Sequence, residues 1–227
     1  MTARPSEGKT GRPSTAAHRA AIHPSPRERL VRKVYARIDA AAGRELERLL
    51  REEEVAASCR RGCSSCCGQH IQTNPAEAHA LGQYIRRTFS ARQISDLRGR
   101  TRQWHAWHGI RRNGGSRPDP TAGPPLSGYE PFCPLLVGRA CSAYPVRPVI
   151  CRTYFVSSDP CDCRPAHDDR PADREPMVMA SVLRATQPLS RPLRADIEAQ
   201  GLDFCRSILL LPHWLAIEMG WEFEAEL

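Results

Sequence analysis

No stretch of this 227-residue chain approaches the roughly 18 consecutive apolar residues needed to cross a bilayer. Its longest apolar run, Ile208–Pro212, suits the end of a buried helix. The first 25 residues also lack an apolar segment of the secretory type, so export is not expected. Residues 1–22 hold a single acid, Glu7, among arginine and serine, a composition that organellar transit peptides share. The heavy use of Ala, Arg and Pro is more typical of a GC-rich bacterial genome, and a bacterial cytoplasmic location is the expectation. Several catalytic signatures are missing too: there is no Gly-rich phosphate loop, no GxSxG, no HExxH and no defensible Cys–His pair. There is no internal repeat, and no zinc-finger, ribbon or RNA-binding motif with proper spacing.

What the chain does have is ten cysteines, twenty prolines and a formal charge of +8. Hydrophobic residues make up 41%, slightly low for a globular chain. The length allows one good-sized domain. A basic balance suits nucleic acid, but it equally offsets clustered thiolates, since a four-cysteine zinc site carries about two net negative charges.

Capping patterns predict the helices. Ser25-Pro26-Arg27-Glu28 opens one that runs to about Ala56, with Leu30, Val31, Val34, Ile38, Leu46, Leu49 and Leu50 at helical spacing. Asn74-Pro75-Ala76-Glu77 opens a second through about Thr88, and Ser90-Ala91-Arg92-Gln93 a third to about Ile110. Residues 113–125, rich in Gly and Pro, read as a surface insertion. Further helices are expected over Met177–Ala185, near Arg194–Gln200, and from Phe204 to about Leu211. The fold expected is mainly α: a disordered tail over 1–24, then a single metal-stabilised domain over 25–227 with cysteine-rich irregular loops, its metal-binding core at about 59–163.

The chemistry lies in the cysteines. Cys59, Cys63, Cys66 and Cys67 place four sulfurs within nine residues. On a helical turn the first three would share a face, with Cys67 about 100° further round, serving a second metal or requiring a non-helical backbone. Gly62 and Gly68 supply flexibility for a wrapping loop. Downstream come Cys133, Cys141 and Cys151, then Cys161-x-Cys163. Such a set can fill two four-thiolate sites, or one with a pair in reserve. Disulfides are the competing reading, disfavoured in a reducing compartment. Cys205, in an expected apolar helix, reads as a buried small hydrophobe.

Cys59-x3-Cys63-x2-Cys66-Cys67 resembles the CxxxCxxCC signature of the YkgJ-type cysteine-cluster family. Pro131-Phe132-Cys133-Pro134-Leu135-Leu136, Cys141-Ser142-Ala143-Tyr144 and Arg147-Pro148-Val149-Ile150-Cys151-Arg152 resemble the family's second motif region. The likeness covers about Cys59 to Tyr154. It implies zinc or iron chelation through Cys59, Cys63, Cys66, Cys67, Cys133, Cys141 and Cys151; Cys161 and Cys163 both fall outside the match, and Cys161 is added as an eighth candidate. A more distant likeness to the flagellin lysine methylase FliB makes an iron–sulfur enzyme, redox or methylase-like, the alternative. Cys59, Cys63 and Cys66 also have the radical-SAM spacing, but the chain lacks the βα repeat of that barrel.

Arg60, Arg61, Arg139, Arg147 and Arg152 flank the cysteines and would favour thiolates, with a structural role expected for Arg147 and Arg152. Tyr144 is expected to pack over the site. His70 is a candidate ligand. His105 and His108 have metal-compatible spacing but sit beside the apolar stripe of Ile94, Leu97, Trp104 and Trp107. His167-Asp168-Asp169 reads as a solvated loop. Leu97–Pro118, with six arginines, two tryptophans and no acid, is the best nucleic-acid footprint, less favoured than an amphipathic helix with a basic outer face. The partner expected is therefore a metal ion, with no membrane.

Overall fold

A computed structural model describes residues 23–60, 62–112, 131–163 and 174–223. The expected tail up to residue 22, the 113–125 insertion and His167-Asp168-Asp169 lie outside the described residues. The described fold is mainly helical, and among these residues no helix is long and apolar enough to cross a membrane.

Helix α1 (Pro26–Glu53) begins as its sequence dictates. The Glu28 amide donates to Ser25 Oγ at 3.1 Å, and the Ser25 amide donates to Glu28 Oε2 at 2.9 Å, closing a capping box. It stops before Ala56 because Glu54 turns left-handed at φ 55° and its amide bonds back to Leu49 O. Strand β1 (Gln72–Thr73) leads into helix α2 (Pro75–Thr88), capped by Asn74, whose side chain accepts from the Glu77 amide at 3.1 Å. Helix α3 (Ala91–Arg112) follows directly. Strands β2 (Leu136–Val137) and β3 (Ala140–Cys141) form a tight hairpin around Gly138, whose φ of 61° favours glycine. Helix α4 (Val149–Thr153) carries Cys151.

Helices α5 (Ala180–Thr186) and α6 (Arg191–Glu198) stand near the expected positions. α5 starts later than Met177 because Val178 pairs with Val156 as an extended bridge. The helix expected from Phe204 to Leu211 is not formed. Phe204 to Ser207 is a turn in which Asp203 Oδ1 accepts from the Arg206 amide at 2.9 Å. Leu209–Leu210 is instead strand β4, antiparallel to β1, and helix α7 (Leu211–Met219) begins where Pro212 suits a first turn. The apolar run was a helix start, not a helix end.

Three apolar clusters hold these pieces. Val31, Val34, Ile38, Ala76, Leu193 and Ile197 join α1, α2 and α6. Leu81, Ile85, Leu97, Leu135, Val146 and Leu211 join α2 and α3 to the second cysteine segment. Ala42, Leu49, Met179 and Val182 join α1 to α5. Each large side chain among them contributes about 1.5–3 kcal/mol on full burial.

Between the first two clusters lies a polar knot. The buried Glu77 carboxylate accepts from Tyr35 Oη at 3.0 Å, Thr73 Oγ1 at 3.3 Å, Asn74 Nδ2 at 2.6 Å and the Val149 amide at 2.7 Å. Beside it Arg152, also buried, stacks on the Tyr35 ring at 3.9 Å, bonds Asp39 at 2.6 Å and donates to Arg147 O at 2.8 Å. Replacing Glu77 by Ala should cost about 3 kcal/mol or more in chemical denaturation of the full chain, because buried donors lose their acceptor. Asp39→Asn, at a half-exposed partner, should cost less than about 1 kcal/mol.

Candidate functional site

The first cysteine segment is not a continuous helix. Gly62, at φ 90°, breaks it, and only Ser65–Gly68 coils, as a short 3₁₀ turn in which the Cys67 amide donates to Ser64 O at 2.9 Å. Cys59, Cys63 and Cys66 are therefore not presented on one helical face. Arg61 lies outside the described residues.

Backbone hydrogen bonds fasten this loop to the second segment. The Cys133 amide donates to Cys67 O at 2.8 Å, and the Ser58 amide donates to Val156 O at 2.9 Å. The Val156 amide reaches Cys59 Sγ at 3.4 Å. The hairpin then brings in Cys141, and α4 brings in Cys151. The Ser157 amide donates to Met177 O at 3.0 Å, holding the segment that precedes the 3₁₀ turn before Cys163.

The thiols form two overlapping electrostatic neighbourhoods. Cys163 is influenced by Cys59, Cys66 and Cys63, and Cys59 by Cys63 and Cys66. Cys67 is influenced by Cys133, Cys66 and Cys151, while Cys151 is influenced by Cys133, Cys66 and Cys141. Cys66 belongs to both neighbourhoods. Cys161 is exposed, and its backbone amide and side chain are held by Asp159, with Cys63 a more distant influence. Both lie outside the matched motif, and Cys163, not the candidate Cys161, is the buried member of the pair. The x-spaced doublet was the available signal, and only burial decides which member points inward.

Burial pushes most of these thiols upward: Cys133 to about 12, Cys163 to about 11, and Cys59, Cys141 and Cys151 in the same direction. Cys66 moves the other way, to about 7, because it accepts a hydrogen bond from Cys67 and lies near Arg147. Cys67, as the donor, is raised. Among the described residues, no three His, Cys, Asp or Glu side chains converge on a point that could hold a metal ion. The thiols share a region without sharing a centre.

The flanking arginines divide. Arg147 lies over the Tyr144 ring at 3.9 Å and donates to Cys151 O at 3.2 Å, shaping the turn before α4 while lowering Cys66 and Cys141 electrostatically. Arg152 belongs to the buried knot. Both have the structural role expected of them. Arg139 is exposed, and so is Arg60, which lies close enough to influence Asp159. Arg100, one of the six arginines of the 97–118 stretch, instead donates to Pro134 O at 2.7 Å and lies near Cys133. Tyr144 is exposed beneath Arg147 rather than covering the thiols.

The histidines gather elsewhere. His105 pairs with Pro212 O at 3.1 Å, and its ring lies 4.7 Å from that of His213. His108 stacks on Trp104 at 4.7 Å. His70 is exposed near Trp107, at 6.4 Å between rings. On α3, Leu97, Thr101 and Trp104 are buried while Arg98 and Arg102 face outward. Cys205 is exposed in the turn after α6, not buried in a helix, because the apolar residues that would have covered it belong to β4 and α7.

In metal-free protein, alkylation by iodoacetamide should label Cys66 with a midpoint near pH 7, since the thiolate is the nucleophile. Below that pH Cys66 is a thiol and slows; Cys133 should stay unlabelled until far higher pH. Peptide mapping by mass spectrometry reads both. Compared with family models, curated proteins and solved structures, the chain matches none of them.

Proposed function

We propose that this chain binds zinc or iron through its clustered cysteine thiolates, as its likeness to the YkgJ-type family implies, in a reducing cytoplasmic setting. The observation that carries this reading is the fastening of two distant cysteine segments by the Cys133–Cys67 and Ser58–Val156 backbone bonds. Thiols held together in this way, half-buried and without disulfides among them, are costly to ionise alone. A divalent cation relieves that cost by taking the place of their protons. The donor set is soft sulfur, which suits zinc, iron or an iron–sulfur cluster.

On this reading the ligands would divide by neighbourhood, with Cys66, which adjoins both, counted with the first. Cys59, Cys63, Cys66 and Cys163 would hold one metal; Cys67, Cys133, Cys141 and Cys151 the other. A metal bound there would cross-link the first cysteine loop to the second segment, which Leu135, Ala143 and Val146 fix to the core. Arg147 and Arg152 position the Cys151 turn, and Arg100 secures the turn that follows Cys133.

Anaerobic purification followed by elemental analysis should find about two zinc ions per chain, four thiolates to each. Cys163→Ser should lower the content to about one, and Cys161→Ser should leave it unchanged. A brown protein with acid-labile sulfide would instead assign iron–sulfur clusters to the same ligands. A metal-free protein whose cysteines pair as disulfides would overturn the reading. Zinc binding near pH 7 should release about three to four protons per ion, because the thiols raised by burial enter protonated. Calorimetry in buffers of different ionisation enthalpy measures that number, and affinity should fall as the pH is lowered.

A further inference from the structure

A broad opening lies away from the thiols. It is a groove of about 730 Å³ between α4, α5, α6, β1 and the turn at Phe204. That volume is typical of a small-molecule site. Its walls are apolar where Ile150, Leu183, Leu193 and Phe204 meet it. Three arginines line it as well, Arg184, Arg191 and Arg194, all exposed.

The charge is one-sided. Glu77 is the single carboxylate among the lining residues, and it is buried, occupied by four donors and close to Arg152. It has little capacity left to repel an anion or to neutralise the rim. Arg194 is engaged by Glu198 at 2.7 Å and lies 5.5 Å from the Phe204 ring centre. Arg184 lies near Glu45, which is itself committed to Arg48 at 2.7 Å. Arg191 has no carboxylate partner among the described residues. Arg191, with no carboxylate partner among the described residues, and Arg184, whose neighbour Glu45 is shared with Arg48, therefore line an apolar trough whose only lining carboxylate is the occupied Glu77. That charge balance complements an anionic head on an apolar body.

We propose that this groove binds a small amphiphilic anion, a carboxylate or phosphate monoester on a hydrocarbon body, with its head at Arg184 and Arg191 and its body along Ile150, Leu183 and Phe204. The site does not depend on the metal reading. It does share α4 with the thiols: Ile150 lines the groove, and the next residue is Cys151.

The probe is 1-anilinonaphthalene-8-sulfonate, an apolar anion whose fluorescence rises on burial, titrated into the full chain as purified. A saturable rise is expected, reversed by decanoate or decyl phosphate and about ten-fold less well by decanol, whose head carries no charge. Whichever anion displaces at lower concentration identifies the head group. The double variant R184E/R191E should weaken probe binding about ten-fold with an unchanged helical circular-dichroism spectrum, and R184K/R191K, which keeps the charge but not the fork, should weaken it less. Displacement by decanol as effective as by decanoate would overturn the proposal. So would a folded R184E/R191E protein that binds as tightly as the parent, or no fluorescence rise at all. If the reversed variant fails to fold, the decanoate-to-decanol ratio on the parent chain decides the matter.

Discussion

One buried carboxylate ties this fold together. Glu77 sits on the first turn of α2, yet it receives hydrogen bonds from α1 through Tyr35, from β1 through Thr73 and from α4 through the Val149 amide. A charge in such a place is tolerable only while its lone pairs are filled and a cation lies close; the nearby Arg152 supplies the cation. The consequence is positional. The amide of Val149 opens the helix that carries Cys151, so the second cysteine segment is anchored to the helical core by polar bonds rather than by apolar contacts alone.

The thiol region answers to an opposite constraint. Its sulfurs are close enough to raise one another's pKa values, and burial raises them further. Protonated thiols tolerate this arrangement with weak interactions, and Cys66 and Cys67 settle into a donor–acceptor pair. The loop around them is held by a few backbone bonds and by the turn at Gly62, not by a core of its own. A metal-thiolate reading assigns the missing cohesion to the ion, in the manner of small metal-dependent domains. Arg147 and Arg152 then serve geometry more than charge, since both spend most of their donors on backbone carbonyls.

α4 separates two chemically distinct regions. Cys151 belongs to the thiols, and Val149, Ile150 and Thr153 line the groove with its arginine rim. Five residues of helix thus border both surfaces, and the Glu77 knot beneath them holds that short element in place.

Local rules carried the first half of the chain far. The caps at Ser25, Asn74 and Ser90 are chemical instructions written within four residues, and helices α1, α2 and α3 begin where those residues put them. The density of Cys59, Cys63, Cys66 and Cys67 likewise marks the thiol region with no structure at hand. The Phe204–Leu211 segment misled because an apolar run has no intrinsic period; β1, distant in sequence, recruited Leu209 and Leu210 into a strand. Glu77 reads as a capping residue in isolation, and only packing against Tyr35 and Val149 reveals it as a buried junction. The same holds for Cys161 and Cys163, equivalent in spacing and separated only by which one faces inward. The sequence by itself determined which residues can cap, coil and ligate, because those properties reside in single side chains and their near neighbours. Tertiary structure alone decided which thiols share a neighbourhood and which arginines line a groove, because burial and long-range electrostatics depend on residues the chain brings together from far apart.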